Sequence, residues 1–555
     1  MSKKSFATNV FFKGDDTINW QSLTYVLLGY GILIRLFHFV VNRSLWLDEI
    51  YLSSSLLRMS LAQLISTPLD YQQQAPVGIL ILVKTSVLAF GNSEMALRLI
   101  PLLCGIASLF AFYKLAGHFL SPFGVFLSTA IIATAPFLVF HSVEIKQYSS
   151  EMLMTVIALL LYTKYNGRRD WTSMWIWGLA GALILWFSHS VIFLLAGIAC
   201  GLFIYHVAKR NWQKLPYLML PFSLWMLSFI VHYFIFIYSA NNSEWLTIWF
   251  HEHNSYMPIT SPVSMIKWIA LQFYRFLEYP LGLLWSWDEK TFSNFIVRNV
   301  LRMPILPMTC FVLGIAAWYR KEKKSFIILI FPILLTLIAS VLEFYPVYER
   351  LLVFLTPVIV LFIAMGMDRL MAFKWVKPFS ILLIPLLLAA PVVSSVHQMT
   401  APEKLGGYKY ADYRDTFEYV EKEQSSGDIV YVYWNLLAQY KVYKQISHLS
   451  YDVIEGKNLR AQATNEPDYL KKMESDFADL KGKNRVWVMY DNTLNFDIGD
   501  MDSKTWYQTG PYGTQPGLRM LNKFRTLGKI IKEYKSKNAS AYLIEIESTA
   551  PGVEM

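Results

Sequence analysis

Between residues 22 and 396 one long apolar run follows another, with mostly short polar turns between them and one long external stretch expected over 240–300. A soluble core cannot absorb that much continuous apolar chain, whereas a bilayer takes one helix per run of about 20 residues. The chain of 555 residues is 55% hydrophobic and 16% charged, with a mean hydropathy of +0.35, which places it among polytopic membrane proteins. Its 18 Trp, 33 Tyr and 37 Phe suit a protein with many headgroup-level contacts. The net charge of +10 forms no basic stripe and follows the turns between apolar runs, so it reads as membrane topology and no nucleic-acid partner is expected. Cys104, Cys200 and Cys310 all lie inside apolar runs, which argues against a disulfide framework or a cysteine metal cluster. The first run is long and lacks a small-residue cleavage site, so no cleavable signal peptide is expected.

Lys3, Lys4 and Lys13 place residues 1–19 in the cytoplasm by the positive-inside rule. Spans are then expected at 22–41, 95–115, 122–140, 152–165, 175–188, 191–207, 216–238, 303–318, 325–342, 351–367 and 379–396, about eleven in all. The segments 50–65, 75–90 and 263–287 read as interfacial helices, being amphipathic or short and interrupted by Lys84. This parity keeps Arg168, Arg169, Lys209, Arg210, Lys214 and Lys321 to Lys324 on the cytoplasmic side. From about residue 397 the composition turns polar. Runs at 429–433, 485–490 and 541–546 read as buried strands with helical patterns between them. The expected architecture is an all-α polytopic membrane domain over 20–396 followed by an extracytoplasmic α/β domain over 397–555, about 150 residues and so of ordinary domain size.

The ionisable residues near the membrane collect in loops on one side: Asp48, Glu49, Arg58 and Lys84; Arg98; Glu144, Lys146 and Tyr148; and Glu349 with Arg350. Carboxylates beside bases at one membrane face suit a site that holds an anionic lipid phosphate and takes a proton from a hydroxyl. For any one of these residues the plainer reading is a headgroup anchor or rim salt bridge.

The strings Trp46-Leu47-Asp48-Glu49, Gln74-Ala75-Pro76-Val77-Gly78, Gly91-Asn92-Ser93-Glu94-Met95-Ala96-Leu97-Arg98-Leu99 and Glu144-Ile145-Lys146-Gln147-Tyr148 occur in that order. Together they resemble the first third of GT-C glycosyltransferases, within these the protein O-mannosyltransferase and lipid A aminoarabinose transferase family. Lys146 stands where that family usually has Arg, and Gln72-Gln73-Gln74 precede the proline where relatives often have His or Glu. The resemblance implies an inverting transferase at the outer face of the membrane, with a polyprenyl-phosphate-linked sugar as donor and a glycolipid such as lipid A, a surface glycan or a protein as acceptor. It implies Asp48 as the base, with Glu49 as neighbour or alternate. Arg350, Lys84, Arg98 and Lys146 would hold the donor phosphate, and Arg58, Glu144, Tyr148, Tyr345 and Gln74 would line the substrate site. A bacterial inner membrane, with the C-terminal domain in the periplasm, is the expected location. His251, Glu252 and His253 carry donor types suited to a divalent metal, but the segment reads as a solvated loop and no cofactor is firmly implied. A transporter or flippase of lipid-linked sugars is the alternative; its kind usually buries ionisable residues mid-span in repeated halves, and no such repeat occurs here.

Overall fold

A computed structural model describes residues 12–13, 17–237, 244–285, 294–480, 484–498, 500, 506–507 and 516–546. The chain forms two compact units: Met1–Val41, Ala75–Leu82 and Arg98–Gly406 make the first, and Asn42–Gln74, Val83–Leu97 and Gly407–Met555 the second.

The first unit is a helical bundle. Seven of the helices among the described residues are long and apolar enough to cross a membrane, from Trp20–Val41 to Leu382–Thr400, and eight if the bent pair Pro122–Thr134 and Pro136–Ser142 counts as one. Three further expected spans are helical but fall short. Trp171–Ile184 and Ile305–Lys321 have 14 and 17 residues, and Tyr148–Tyr165 carries Glu151 and Lys164 on an otherwise apolar body. The 263–287 segment forms the amphipathic helix Pro262–Glu278, capped by Ser261. At the bundle centre lies Thr356–Met371, apolar all round and buried from Thr356 to Met367. Ile305–Lys321 packs against it through two glycines. A Cβ on Gly314 would sit 1.9 Å from the Phe362 carbonyl oxygen, and one on Gly366 1.6 Å from that of Cys310. Only glycine permits this backbone contact.

The break at Pro136 follows from its chemistry: proline has no N–H to give the preceding turn, so carbonyls at the end of Pro122–Thr134 lose their helical partners. The chain bends there by 59°. The buried guanidinium of Arg35 answers those carbonyls, with Nη2 donating to Ile132 O at 3.2 Å and Nη1 to Ala133 O at 3.1 Å and Gly31 O at 2.8 Å. Its Nε donates to Ser142 Oγ at 3.1 Å, beyond the bend. Gly31 makes the approach possible, because a Cβ there would lie 2.9 Å from that of Ala133.

In the second unit, β1 (Ile429–Val432), β2 (Val453–Glu455), β3 (Arg485–Asp491), β4 (Gly528–Lys535) and β5 (Ala539–Ile546) form one sheet of order β2-β1-β3-β5-β4. The β1 strand pairs in parallel with β2 and β3, with Val430 opposite Val453 and Trp487; β5 runs antiparallel to both β3 and β4. Near-continuous burial of β1, β3 and β5 matches their apolar sequences, as expected for strands covered on both faces. The helix Leu47–Arg58 belongs to this unit and packs on Trp434–Ile446.

Replacing Arg35 by Met should strand the Ile132 and Ala133 carbonyls in an apolar core. At about 1–3 kcal/mol for each unsatisfied group, the variant should melt several degrees lower in detergent, with Arg35→Lys between it and wild type. An unchanged melting temperature would contradict the capping role.

Candidate active site

The Asp48 loop is built by a buried network within the second unit. Tyr443 Oη donates to Glu94 Oε1 at 2.7 Å, and its oxygen receives the Leu45 N–H and lies 2.7 Å from Ser44 Oγ. Burial first, then the charge of Glu94, pushes the Tyr443 phenol well above its ordinary value, so it stays a donor to that carboxylate. Glu94 Oε2 is bound by Arg414 and by Asn42 Nδ2, and Arg414 also donates to Asn42 O at 2.6 Å. Residues 42 to 45 are thereby fixed, and the helix that starts at Leu47 inherits its position.

Within that helix the two adjacent carboxylates differ. Glu49 is wholly buried, pairs with Arg43 Nη1 at 2.7 Å and reaches back to the Trp46 N–H at 3.2 Å, a capping contact at the third helical position. Asp48 is partly exposed. Tyr51 sits one turn further on and stacks against Tyr71 at 4.4 Å between ring centroids. Burial, with the charges of Asp497, Tyr71, Asp48 and Asp491 behind it, pushes the Tyr51 phenol above its ordinary value. Tyr71 and Gln72 both adopt left-handed backbone, φ 54° and 51°, a strained pair for residues other than glycine. The turn is held by Asp70, whose carboxylate accepts from Ser54 Oγ at 2.9 Å and Arg58 Nη2 at 2.6 Å and whose N–H donates to Ser55 Oγ at 2.8 Å. Arg58 is thus paired, and more than half exposed. Lys84 is buried and donates to the carbonyls of Leu56 and Leu57 at 2.8 and 3.2 Å, so its charge caps the end of the Asp48 helix. Gln74 is exposed.

A second polar cluster lies in the first unit, just past the Pro136 bend. Tyr279 Oη and His141 Nε2 are 2.6 Å apart, as are His141 Nδ1 and Glu144 Oε2, and all three side chains are buried. Burial, then Glu144 and Glu349, drive the Tyr279 phenol well above its ordinary value, partly offset by Arg350. The phenol therefore keeps its proton and donates a hydrogen bond to Nε2, leaving Nδ1–H to donate to Glu144. Tyr148 packs on the imidazole at 4.7 Å, and the Lys146 N–H closes the loop on Glu144 O at 2.8 Å. Glu144, Tyr148, Glu349 and Arg350 thus all act electrostatically on Tyr279. Tyr345 Oη donates to Leu351 O at 2.6 Å, bracing the turn that carries Arg350. Arg98 is fully buried within the Glu94–Phe119 helix.

The string His251-Glu252-His253 closes the helix Glu244–Glu252 and is not the loop its composition suggests. On a helix end these neighbours diverge. His251 meets Glu343 at 3.3 Å, while His253 stacks on Trp249 at 3.9 Å with Nδ1 2.7 Å from the Trp249 carbonyl. Among the described residues no group of three or more His, Cys, Asp or Glu side chains is placed to hold a metal ion. His189 lies 2.6 Å from His232, ring nitrogen to ring nitrogen.

His141, Tyr279 and Arg414 are absent from the sequence-based candidates, and the bracing role of Tyr443 is not legible there. His141 falls at the end of an apolar run and Tyr279 at the end of an amphipathic helix, while Tyr443 and Arg414 lie hundreds of residues from the loop they brace. Glu94 sits inside a motif string, but its partners are not legible there.

The fold, a bundle with membrane-length helices and a separate small α/β unit, is shared with solved structures of low sequence identity. The chain is similar to the structure of ArnT from Cupriavidus metallidurans bound to undecaprenyl phosphate, with a TM-score of 0.51 and 12% identity over 94% of this chain and 97% of that one. It is similar to the apo state of the same protein, with a TM-score of 0.50 and 11% identity over 92% and 97%. The Archaeoglobus fulgidus oligosaccharyltransferase in the apo form aligns with a TM-score of 0.49 and 11% identity over 95% of this chain and 75% of that one. No family model matches the sequence, and no curated protein does.

Tyr443→Phe removes the donor to Glu94 and the acceptor for the Leu45 N–H. A cost of about 1–3 kcal/mol is expected, read as a lower melting temperature with faster proteolysis of the 42–49 loop. Wild-type behaviour on both measures would contradict the network.

Proposed function

We propose that this protein transfers a sugar from a polyprenyl-phosphate-linked donor to an acceptor hydroxyl. The observation that carries the reading is the likeness over nearly the whole chain to ArnT in complex with undecaprenyl phosphate. The acceptor oxygen attacks the anomeric carbon as the bond from that carbon to the phosphate oxygen breaks, inverting the centre and releasing polyprenyl phosphate. Asp48 takes the acceptor's proton, a task that requires a carboxylate within hydrogen-bond reach of the hydroxyl. Of the two neighbouring carboxylates it is the better base candidate, because Glu49 is buried against Arg43. Negative charge on the departing phosphate calls for cations already in place. Arg350 is the first of these, with Lys146 and Arg98; Lys84, engaged by two backbone carbonyls, contributes its charge at the end of the Asp48 helix. Glu144, Tyr148, Tyr345, Gln74 and Arg58 are the remaining substrate-side candidates. The acceptor belongs to the cell envelope, as a glycolipid, glycan or protein, and the working face of the membrane is the outer one.

Purified protein in lipid, offered a panel of polyprenyl-phosphate sugars, should release free polyprenyl phosphate with one of them. Asp48→Asn should slow that release by about 10²- to 10⁴-fold while expressing normally. Binding of the lipid-linked sugar and its movement between leaflets, with no release by wild type, would overturn the transferase reading in favour of transport.

A further inference from the structure

A group of cations in the first unit lies far from the polar cluster around Tyr279. It gathers where the helix Tyr148–Tyr165 ends, about 27 Å along the axis from its Tyr148 end for 18 residues at 1.5 Å each. Lys324, at the start of Lys323–Val341, donates to Asn166 Oδ1 at 2.5 Å and lies 5.9 and 5.7 Å from the ring centres of Tyr162 and Tyr205. His206, in the last turn of Val191–Ala208, is 6% exposed, and neither ring nitrogen has a hydrogen-bond partner among the described residues. Lys214, in the turn Trp212–Lys214, is 2% exposed, and its Nζ likewise has none. The charges of Lys324, Lys214 and Arg169 all bear on His206, and those of Lys324 and Arg169 on Lys214.

Two carboxylates are near, and both are engaged elsewhere. Glu322 acts on Lys324 but accepts from Ser325 Oγ at 2.9 Å; Asp170 acts on Lys214 but caps the next helix by accepting from the Ser173 N–H at 2.8 Å. Positive charge is in excess. An ammonium taken out of water without a partner is costly, and several like charges held together raise that cost. Topology alone does not account for the arrangement, since a basic residue serving the positive-inside rule needs only an exposed position from which to reach headgroups, and Lys209 and Arg210 are exposed. Lys214 and His206 instead turn into the protein, among helix ends.

We propose that Lys214, His206, Lys324 and Arg169 form a binding site for a phosphate-bearing anion, supplied by the headgroup of an anionic glycerophospholipid wedged between the helix ends on the basic side of the bundle. A phosphodiester oxygen accepts from the Lys214 ammonium and from an imidazole N–H of His206, the donors that lack protein partners. Lys324 and Arg169 supply longer-range attraction, and the tyrosine rings close the wall. Cationic pockets between membrane helices suit such headgroups because the surrounding low dielectric strengthens every ion contact. The site is independent of the transfer reaction proposed above.

The full-length protein is reconstituted in vesicles of phosphatidylcholine alone or mixed with phosphatidylglycerol, and its thermal unfolding is compared with that of Lys214→Gln. Wild type should gain stability in the phosphatidylglycerol vesicles, and the variant should gain little. Native mass spectrometry should show phosphatidylglycerol retained about fivefold less by the variant, the loss of one cation's contribution. In phosphatidylcholine alone the variant should be at least as stable as wild type, because it removes an unpaired buried charge. Inorganic phosphate added to phosphatidylcholine vesicles tests the other source. A wild-type gain there equal to that with phosphatidylglycerol would keep the phosphate site and overturn the lipid assignment. An equal response of both proteins to phosphatidylglycerol, or a variant already destabilised in phosphatidylcholine, would overturn the site.

Discussion

In apolar surroundings every backbone carbonyl that leaves a helix must find another donor, and the contact of Arg35 with the carbonyls before Pro136 is where this bundle meets that demand. The bend it permits brings Pro136–Ser142 in at a new angle, and that short helix carries His141 in its last turn. Ser142, bound by the same guanidinium, is the next residue. The chain from Pro136 to Arg35 and Ser142, and through the neighbouring His141 to Tyr279, is thus one mechanical sequence, beginning with a missing N–H and ending with a phenol bonded to an imidazole and subject to the charges of Glu144, Glu349 and Arg350.

The second unit answers a comparable demand with side chains. Its candidate base lies on a short helix that could not hold a fixed position on propensity alone. Glu94, with Tyr443, Arg414 and Asn42 around it, anchors the residues before the helix, while Lys84 closes its far end. Between these anchors the two acidic residues divide the work. Glu49 turns inward to Arg43 and the helix start, and Asp48 is left at the partly exposed face beside the Tyr51 and Tyr71 stack.

Much of this was legible in the sequence because it rests on local pattern. Apolar runs marked the helices at all eleven expected spans, of which seven or eight are long and apolar enough to cross a membrane; short apolar runs marked β1, β3 and β5, and the carboxylate pair marked the Asp48 loop. What escaped depends on contacts distant in the chain. Nothing near Tyr443 says that its hydroxyl meets Glu94, 349 residues away, and nothing near Arg35 says that a proline 101 residues on will free two carbonyls for it. Lys84 illustrates the limit: its charge and position suited a phosphate, but its ammonium is engaged by the end of a neighbouring helix. His251 and His253 carry donor types suited to a metal, but the segment expected as a loop closes a helix, where the two side chains find separate partners.

The central claim is that adjacent carboxylates hold different offices, Asp48 chemical and Glu49 structural. Turnover and thermal unfolding measured side by side on Asp48→Ala and Glu49→Gln test it most directly. Asp48→Ala should lose turnover and keep the wild-type melting temperature, whereas Glu49→Gln should lower that temperature first, since it removes the carboxylate charge that the buried Arg43 pairs with at 2.7 Å. Near-normal turnover in Asp48→Ala, or abolished turnover in a Glu49→Gln protein that melts as wild type does, would contradict the assignment.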